Sequence, residues 1–139
     1  MPHDEWANLN GLDFHYRDWD GSGQSVILIH GLASNCHIWD MVAPILARDF
    51  AVVAMDQRGH GESAKPDHGY DFDTVGSDLS ALINHLGLVD PVLVGHSWGG
   101  DVVLELAVAC PGLAKGLVFV DGGMINSSAR YASLDDARE

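Results

Sequence analysis

Four short, unbroken apolar runs punctuate the chain: Ser25–His30 (SVILIH), Ala51–Met55 (AVVAM), Val92–Gly95 (VLVG) and Gly116–Val120 (GLVFV). A strand that is apolar at every position is buried on both faces, which is the situation of a strand inside a parallel sheet. Parallel neighbours need crossovers of a dozen or more residues, usually helical, and the intervening segments supply them. Trp39, Val42, Ile45 and Leu46 are spaced for a helix over 39–48. Phe72, Val75, Leu79, Leu82, Ile83 and Leu86 form a longer helical stripe that Gly87 stops. Val102, Val103, Leu106 and Ala107 give a third helix, from about Trp98 to Cys110, its inward face before Pro111-Gly112 ends it. Ahead of these units, residues 4–9 and 12–19 flank Asn10-Gly11, a two-residue hairpin signal. The order predicts an α/β fold, a mostly parallel open sheet with helices on both faces.

Composition narrows the class. A chain of 139 residues, 47% hydrophobic, can build one domain with a real core. The formal net charge of −13 argues against a nucleic-acid or anionic membrane surface as partner. No apolar run approaches the ~20 residues of a membrane span, and Met1–Asn10 lacks the basic-then-apolar pattern of a secretory signal. The two cysteines, Cys36 and Cys110, read as reduced thiols, which makes a cytoplasmic location the default expectation. No histidine pair has the i, i+4 spacing with acidic support that a metal site favours, so neither metal nor cofactor is expected.

The strongest chemical signal is Gly95-His96-Ser97-Trp98-Gly99, a G-x-S-x-G motif placed between an apolar strand and a helical stretch. That context gives the motif its meaning: the serine sits on a sharp strand-to-helix turn with its hydroxyl lifted from the sheet edge. Ser97 is the candidate nucleophile, Gly95 and Gly99 the small residues the turn requires, and the N–H of Trp98 one oxyanion donor. In open α/β sheets reactive groups gather at the carboxyl ends of strands. His30-Gly31-Leu32, Asp56–Ser63 and Ser97 all fall at such ends.

Taken together, His30-Gly31-Leu32-Ala33-Ser34, Trp39, Asp56-Gln57-Arg58-Gly59-His60-Gly61-Glu62-Ser63, Gly95–Gly100 and Val120-Asp121-Gly122-Gly123 resemble the α/β-hydrolase superfamily, serine-nucleophile branch, over about residues 25–123. Members with aspartate at the elbow are the dehalogenase and epoxide-hydrolase types, from which Ser97 departs. The resemblance implies a second oxyanion donor in the N–H of Leu32, with Gly31 allowing close approach and His30 shaping the loop through a buried hydrogen bond. It gives Asp56–Ser63 a structural role, with Asp56 and Arg58 able to pair and brace the loop. Asp121 is the one triad-acid candidate, set against a glycine-rich turn cap in which the carboxylate binds its own backbone. His96, beside the nucleophile, is expected to point away from it by strand alternation. Asp101 and Glu105 are expected to be solvated. Trp39, Trp98 and Met124 suit either an apolar pocket or the core.

In this architecture the triad order is serine, acid, histidine, whereas the eight histidines, 3, 15, 30, 37, 60, 68, 85 and 96, all precede Ser97. Relatives with these motifs are about twice as long. Residues 1–123 therefore read as the N-terminal part of a hydrolase core and 124–139 as the start of a lid, truncated before the last strands. Ending there would leave Leu117–Val120 an exposed apolar edge, with self-association as its consequence. The expected function is a serine hydrolase acting on an ester, thioester or lactone-like carbonyl through an acyl-enzyme, with a small acyl compound as substrate and inactive without the missing histidine. The alternative is a non-catalytic binding module of the same fold.

Overall fold

A computed structural model describes residues 1–122. The lid segment expected over 124–139, including Met124, lies outside the described residues, as does Gly123. The chain opens with a hairpin, β1 (His3–Leu9) and β2 (Leu12–Asp18). Its turn residues Asn10 and Gly11 both take positive φ, 51° and 80°, as a twist-matched two-residue turn requires. The remaining strands are β3 (Ser25–Ile29), β4 (Ala51–Met55), β5 (Val92–His96) and β6 (Gly116–Val120). They form one six-stranded sheet in the order β1-β2-β4-β3-β5-β6. The β1–β2 and β2–β4 pairs are antiparallel, and β4, β3, β5 and β6 run parallel. The sheet is thus mixed, with the predicted parallel set at its centre and one end.

Period-two alternation divides the core into two layers. Ile27, Ile29, Val53, Met55 and Leu93 pack on one face with Val75, Leu79, Leu82 and Ile83 of α2 (Phe72–His85) and Val102, Val103 and Leu106 of α3 (Trp98–Ala109). Val26, Leu28, Val52, Ala54 and Val94 point to the other face, where Trp39 and Ala43 cover them. Helix α2 begins where Asp71 accepts a 2.8 Å hydrogen bond from the Thr74 N–H. It ends at Leu86, with Gly87 following at φ 64°.

The segment 39–48 departs from expectation. In place of one helix there is a 3-10 turn, Cys36–Trp39, then a single-turn α1, Ala43–Leu46. Pro44 explains the break: it lacks an N–H and is tolerated only in the first helical turn. The restart also rotates the buried face. Trp39 and Ala43 are buried and Leu46 packs behind them, while Val42 and Ile45 are exposed. Trp39 is therefore core, not pocket lining.

At the other end, β6 pairs with β5 alone among the described residues. Leu117 and Phe119 pack against the α2–α3 layer, while Val118 and Val120 on the opposite face are 45% and 39% exposed.

Candidate active site

The chain leaves β3 toward β4 on one side and reaches β5 on the other, so the strand order reverses between β3 and β5. Such a switch point opens a crevice at the carboxyl ends of the two strands. Ser97 follows β5 and Gly31 follows β3, and the two meet in that crevice: a Cβ added to Gly31 would stand 3.0 Å from the Ser97 Cβ. Ser97 has φ 51° and ψ −123°, a strained conformation for a residue with a side chain. Its N–H donates to the Val120 carbonyl of β6 at 3.0 Å and its carbonyl accepts from Gly100 N–H at 2.8 Å, which hold the turn from both sides.

The elbow glycines are dictated by space. A Cβ on Gly95 would lie 2.3 Å from the Gly99 carbonyl oxygen, and one on Gly99 would lie 2.5 Å from the His30 carbonyl oxygen. Both obstacles are backbone. Gly122 was not singled out from sequence, yet a Cβ there would come within 2.5 Å of the Ser97 Cα. The turn after β6 thus passes directly beside the elbow and carries Asp121, exposed and at φ 49°, to the same end of the sheet.

Leu32, in the loop after β3, and Trp98, the first residue of α3, flank Ser97. The Leu32 side chain is 62% exposed, so what this residue offers the crevice is its backbone. Trp98 begins α3, whose first N–H groups have no intrahelical acceptor. Neither Leu32 N–H nor Trp98 N–H donates to a main-chain carbonyl among the described residues.

His30 is fully buried. Its Nδ1–H donates to the Gly31 carbonyl at 2.7 Å, and its Nε2 accepts from the Gln57 N–H at 3.1 Å. Gln57 returns a 2.7 Å bond to the His30 carbonyl. Burial pushes the imidazole below its ordinary pKa, in keeping with this neutral ring. The ring therefore ties the loop after β3 to the loop after β4. Among the described residues, His96 Nδ1 is buried without a partner, close to the space over Gly31.

His60 completes the mouth of the crevice, a role the sequence did not signal. Its Nδ1 donates to the Arg58 carbonyl at 3.0 Å and its Nε2 accepts from Ala33 N–H at 3.3 Å. Its ring lies 4.9 Å from that of His30 and 6.3 Å from Trp98, and Phe72 stacks on Trp98 at 6.0 Å. On α3, Glu105 is exposed and Asp101 partly buried, where burial pushes its carboxyl up.

The Asp56–Ser63 loop is braced, but not by the expected Asp56–Arg58 pair. Asp56 accepts from Cys36 N–H at 2.7 Å, from Glu62 N–H at 3.0 Å and from His15 Nδ1 at 2.8 Å. Arg58 instead makes a two-pronged pair with Asp78 of α2, at 2.6 and 2.9 Å, with both side chains buried. The carboxylate on the helix is nearer to the guanidinium because the chain folds back over the loop, which sequence proximity cannot show.

His15, Cys36 and Asp56 bring three donor atoms within 4.8 Å of one another. Both oxygens of Asp56 are taken by N–H donors, His15 Nε2 faces Asp4 at 3.1 Å, and burial raises the Cys36 thiol well above its ordinary value. The cluster is a hydrogen-bonded brace between the hairpin and the β4 loop, and a cation would have to displace those bonds. Burial alone would raise the Asp56 carboxyl, but the N–H donors of Cys36 and Glu62 and the His15 ring hold it below its ordinary 3.8. The sign follows by linkage: Asp56 adds stability that is complete above about pH 4 and is lost as pH falls through its lowered folded value. Urea unfolding between pH 6 and pH 3 should therefore show falling stability, with a shallower fall in Asp56→Asn. Equal slopes for the two proteins would remove Asp56 from this role.

Over residues 24–138 the sequence matches the alpha/beta hydrolase fold family. The soluble epoxide hydrolase of Corynebacterium sp. (strain C12) is 38% identical over 115 residues, covering 83% of this chain and 40% of that protein. Among solved structures, the epoxide hydrolase CorEH superposes with a TM-score of 0.87 at 34% identity, covering 99% of this chain and 49% of that one. A serine-to-alanine variant of N-formylmaleamic acid deformylase from Pseudomonas putida S16 superposes with a TM-score of 0.80 at 30% identity, covering 86% of this chain and 47% of that one. The chain spans less than half the length of each. No helix among the described residues is long and apolar enough to cross a membrane.

Proposed function

Because this chain belongs to the alpha/beta hydrolase fold family, we propose that it carries the nucleophile and the oxyanion-binding part of a serine hydrolase for ester, thioester or lactone-like carbonyls. The observation that carries the reading is the elbow. Ser97 is held at φ 51° and ψ −123° in the switch-point crevice, beside the Leu32 and Trp98 N–H groups, neither of which has a main-chain acceptor among the described residues. In the proposed reaction Ser97 Oγ attacks the carbonyl carbon and its proton passes to a base. The Leu32 and Trp98 N–H groups bind the resulting oxyanion, each such donor being worth about 3 kcal/mol in the transition state. Expulsion of the alcohol or thiol leaves an ester on Ser97, and water cleaves it.

The residue type argues for acyl chemistry over that of the named epoxide hydrolases. A carboxylate that opens an epoxide becomes an ester, which water can cleave. A serine hydroxyl doing the same becomes an ether, which does not turn over. The deformylase relative, by its name, removes an acyl group, and its structure was determined with a serine replaced by alanine.

The base in this proposal is a histidine supplied from beyond the 139 residues. His15, His30, His37 and His60 are committed to other hydrogen bonds, and Asp121 is the acid candidate at the right strand end. Exogenous imidazole can stand in for such a base. Intact mass spectrometry with a fluorophosphonate should therefore show one adduct on the 139-residue chain that depends on imidazole and disappears in Ser97→Ala. An adduct on Ser97 without imidazole would place the base within this chain. Absence of any adduct on folded protein, with or without imidazole, would favour the non-catalytic binding module.

A further inference from the structure

We infer that His60 is a positioning residue for the oxyanion donor at Leu32: its ring holds the peptide that follows Leu32, as His30 holds the one that precedes it. The inference rests on the serine-hydrolase reading above and deepens it. The N–H of Leu32 belongs to the Gly31–Leu32 peptide, and the carbonyl of that peptide accepts from His30 Nδ1–H at 2.7 Å. A trans peptide is planar and points its C=O and N–H in opposite directions, so the His30 bond turns the Leu32 N–H away from the His30 ring. The next peptide, Leu32–Ala33, is held by its N–H, which donates to His60 Nε2 at 3.3 Å. Only φ and ψ of Leu32 relate the two planes. With one imidazole on each plane, the direction of the donor is set from both sides.

The hydrogen-bond partners fix where the His60 proton sits. Nδ1 faces the Arg58 carbonyl at 3.0 Å, which can only accept, so Nδ1 carries the hydrogen. Nε2 faces an N–H, so it keeps its lone pair. The ring stands on a braced loop. The His60 N–H donates to the Gln57 carbonyl at 3.0 Å, and the His60 carbonyl accepts from Ser63 N–H at 3.1 Å. Gln57 is bonded in turn to His30, through its own N–H at 3.1 Å and its side chain at 2.7 Å. One network therefore carries both imidazoles, whose rings lie 4.9 Å apart. The need for a grip is visible at Ala33. Its φ of 54° is one that a residue with a Cβ rarely adopts unless its neighbours hold it there, and His60 is the side chain that bonds its N–H.

The rate of imidazole-dependent labelling of Ser97 by a fluorophosphonate, followed by intact mass at several reagent concentrations, reads the oxyanion donor, because the phosphonyl oxygen gains charge in the same place. His60→Phe keeps an aromatic ring and removes the acceptor. It should lower the limiting labelling rate about tenfold or more, a share of the roughly hundredfold or greater cost of losing a whole oxyanion donor. The reagent concentration for half-maximal rate should stay unchanged. His60→Gln, whose side-chain oxygen reaches the Nε2 position, should recover most of the rate. A ring that served only as packing would give the opposite order, with phenylalanine the better substitute. Imidazole nitrogen NMR of the wild-type chain reads the grip without any chemistry at Ser97: the His60 proton should sit on Nδ1, and the Ala33 amide should exchange with solvent faster in His60→Phe. A wild-type chain that takes no adduct with imidazole would overturn the hydrolase reading and this inference with it. Equal labelling rates in wild type and His60→Phe, a glutamine variant no faster than phenylalanine, or a His60 proton on Nε2 would overturn the assignment of His60 alone and leave that reading standing.

Discussion

Asp78→Ala is expected to destabilise the fold by about 3–5 kcal/mol, a large part of the total stability of a domain this size. The Arg58 guanidinium would remain buried with its carboxylate gone. It cannot escape by losing its proton, and the carboxylate that holds its pKa high is the same Asp78 that the substitution removes. Nor can it swing aside cheaply, since its Nη1 lies 2.3 Å from the position a Cβ on Gly69 would occupy, so the turn at Gly69 packs directly on it. Asp78 also accepts from the Asn10 side chain at 3.0 Å, so the same substitution loosens the hairpin turn from α2. Asp78→Asn should cost less, because it keeps an acceptor for one prong and for Asn10. Arg58→Met with Asp78→Leu should recover most of the loss, since replacing both charges removes their desolvation cost together. Equilibrium urea unfolding of the four proteins decides the matter. A loss under 1 kcal/mol in Asp78→Ala would show that water reaches the guanidinium and that the pair contributes little.

That pair also marks where sequence reading stops. The strands β3, β4 and β5 were legible because a strand buried on both faces must be apolar throughout. Strand β6 shares that apolar run although Val118 and Val120 are partly exposed. The elbow was legible from its G-x-S-x-G spacing, with Gly95 forced by backbone four residues on and Gly99 by the His30 carbonyl. Helix α2 announced itself by an apolar stripe and a stop at Gly87, while its cap at Asp71 emerged only in the structure. The failures share one physical origin, in contacts between segments far apart in the chain. Arg58 takes its partner from α2, and Asp56 takes His15 from the hairpin. His60 gained its place against His30 and Trp98 only when three strand ends converged. Gly122 reads as an ordinary turn glycine until β6 is placed beside β5. The break at Pro44 is different, because proline's local rule was available and the apolar spacing of residues 39–46 outweighed it in the reading. The order β4-β3-β5 was not specified by any local pattern, yet it is what creates the crevice holding Ser97.

Ser97→Gly is expected to stabilise the chain while destroying its nucleophile, and Ser97→Ala to destroy the nucleophile without the gain. At φ 51° and ψ −123° a residue with a Cβ carries strain of about 1–3 kcal/mol. Alanine keeps the Cβ and so keeps the strain. Glycine releases it and gives back about 0.5–1 kcal/mol through the greater freedom of the unfolded chain, for a net gain of about 1–2 kcal/mol. The comparison separates the backbone from the hydroxyl: imidazole-dependent fluorophosphonate labelling should vanish in both variants, while the urea midpoint should rise in Ser97→Gly alone. The strain is maintained by neighbours that over-determine the turn, namely the Ser97 N–H bond to Val120, the Gly100 bond to its carbonyl and the close approach of Gly122. Stability given up at one residue, with the surroundings spent on holding it there, is the expected signature of a position shaped for chemistry and not for folding. If glycine and alanine proved equally stable the turn would be relaxed, and the case for Ser97 as a positioned nucleophile would lose its physical basis.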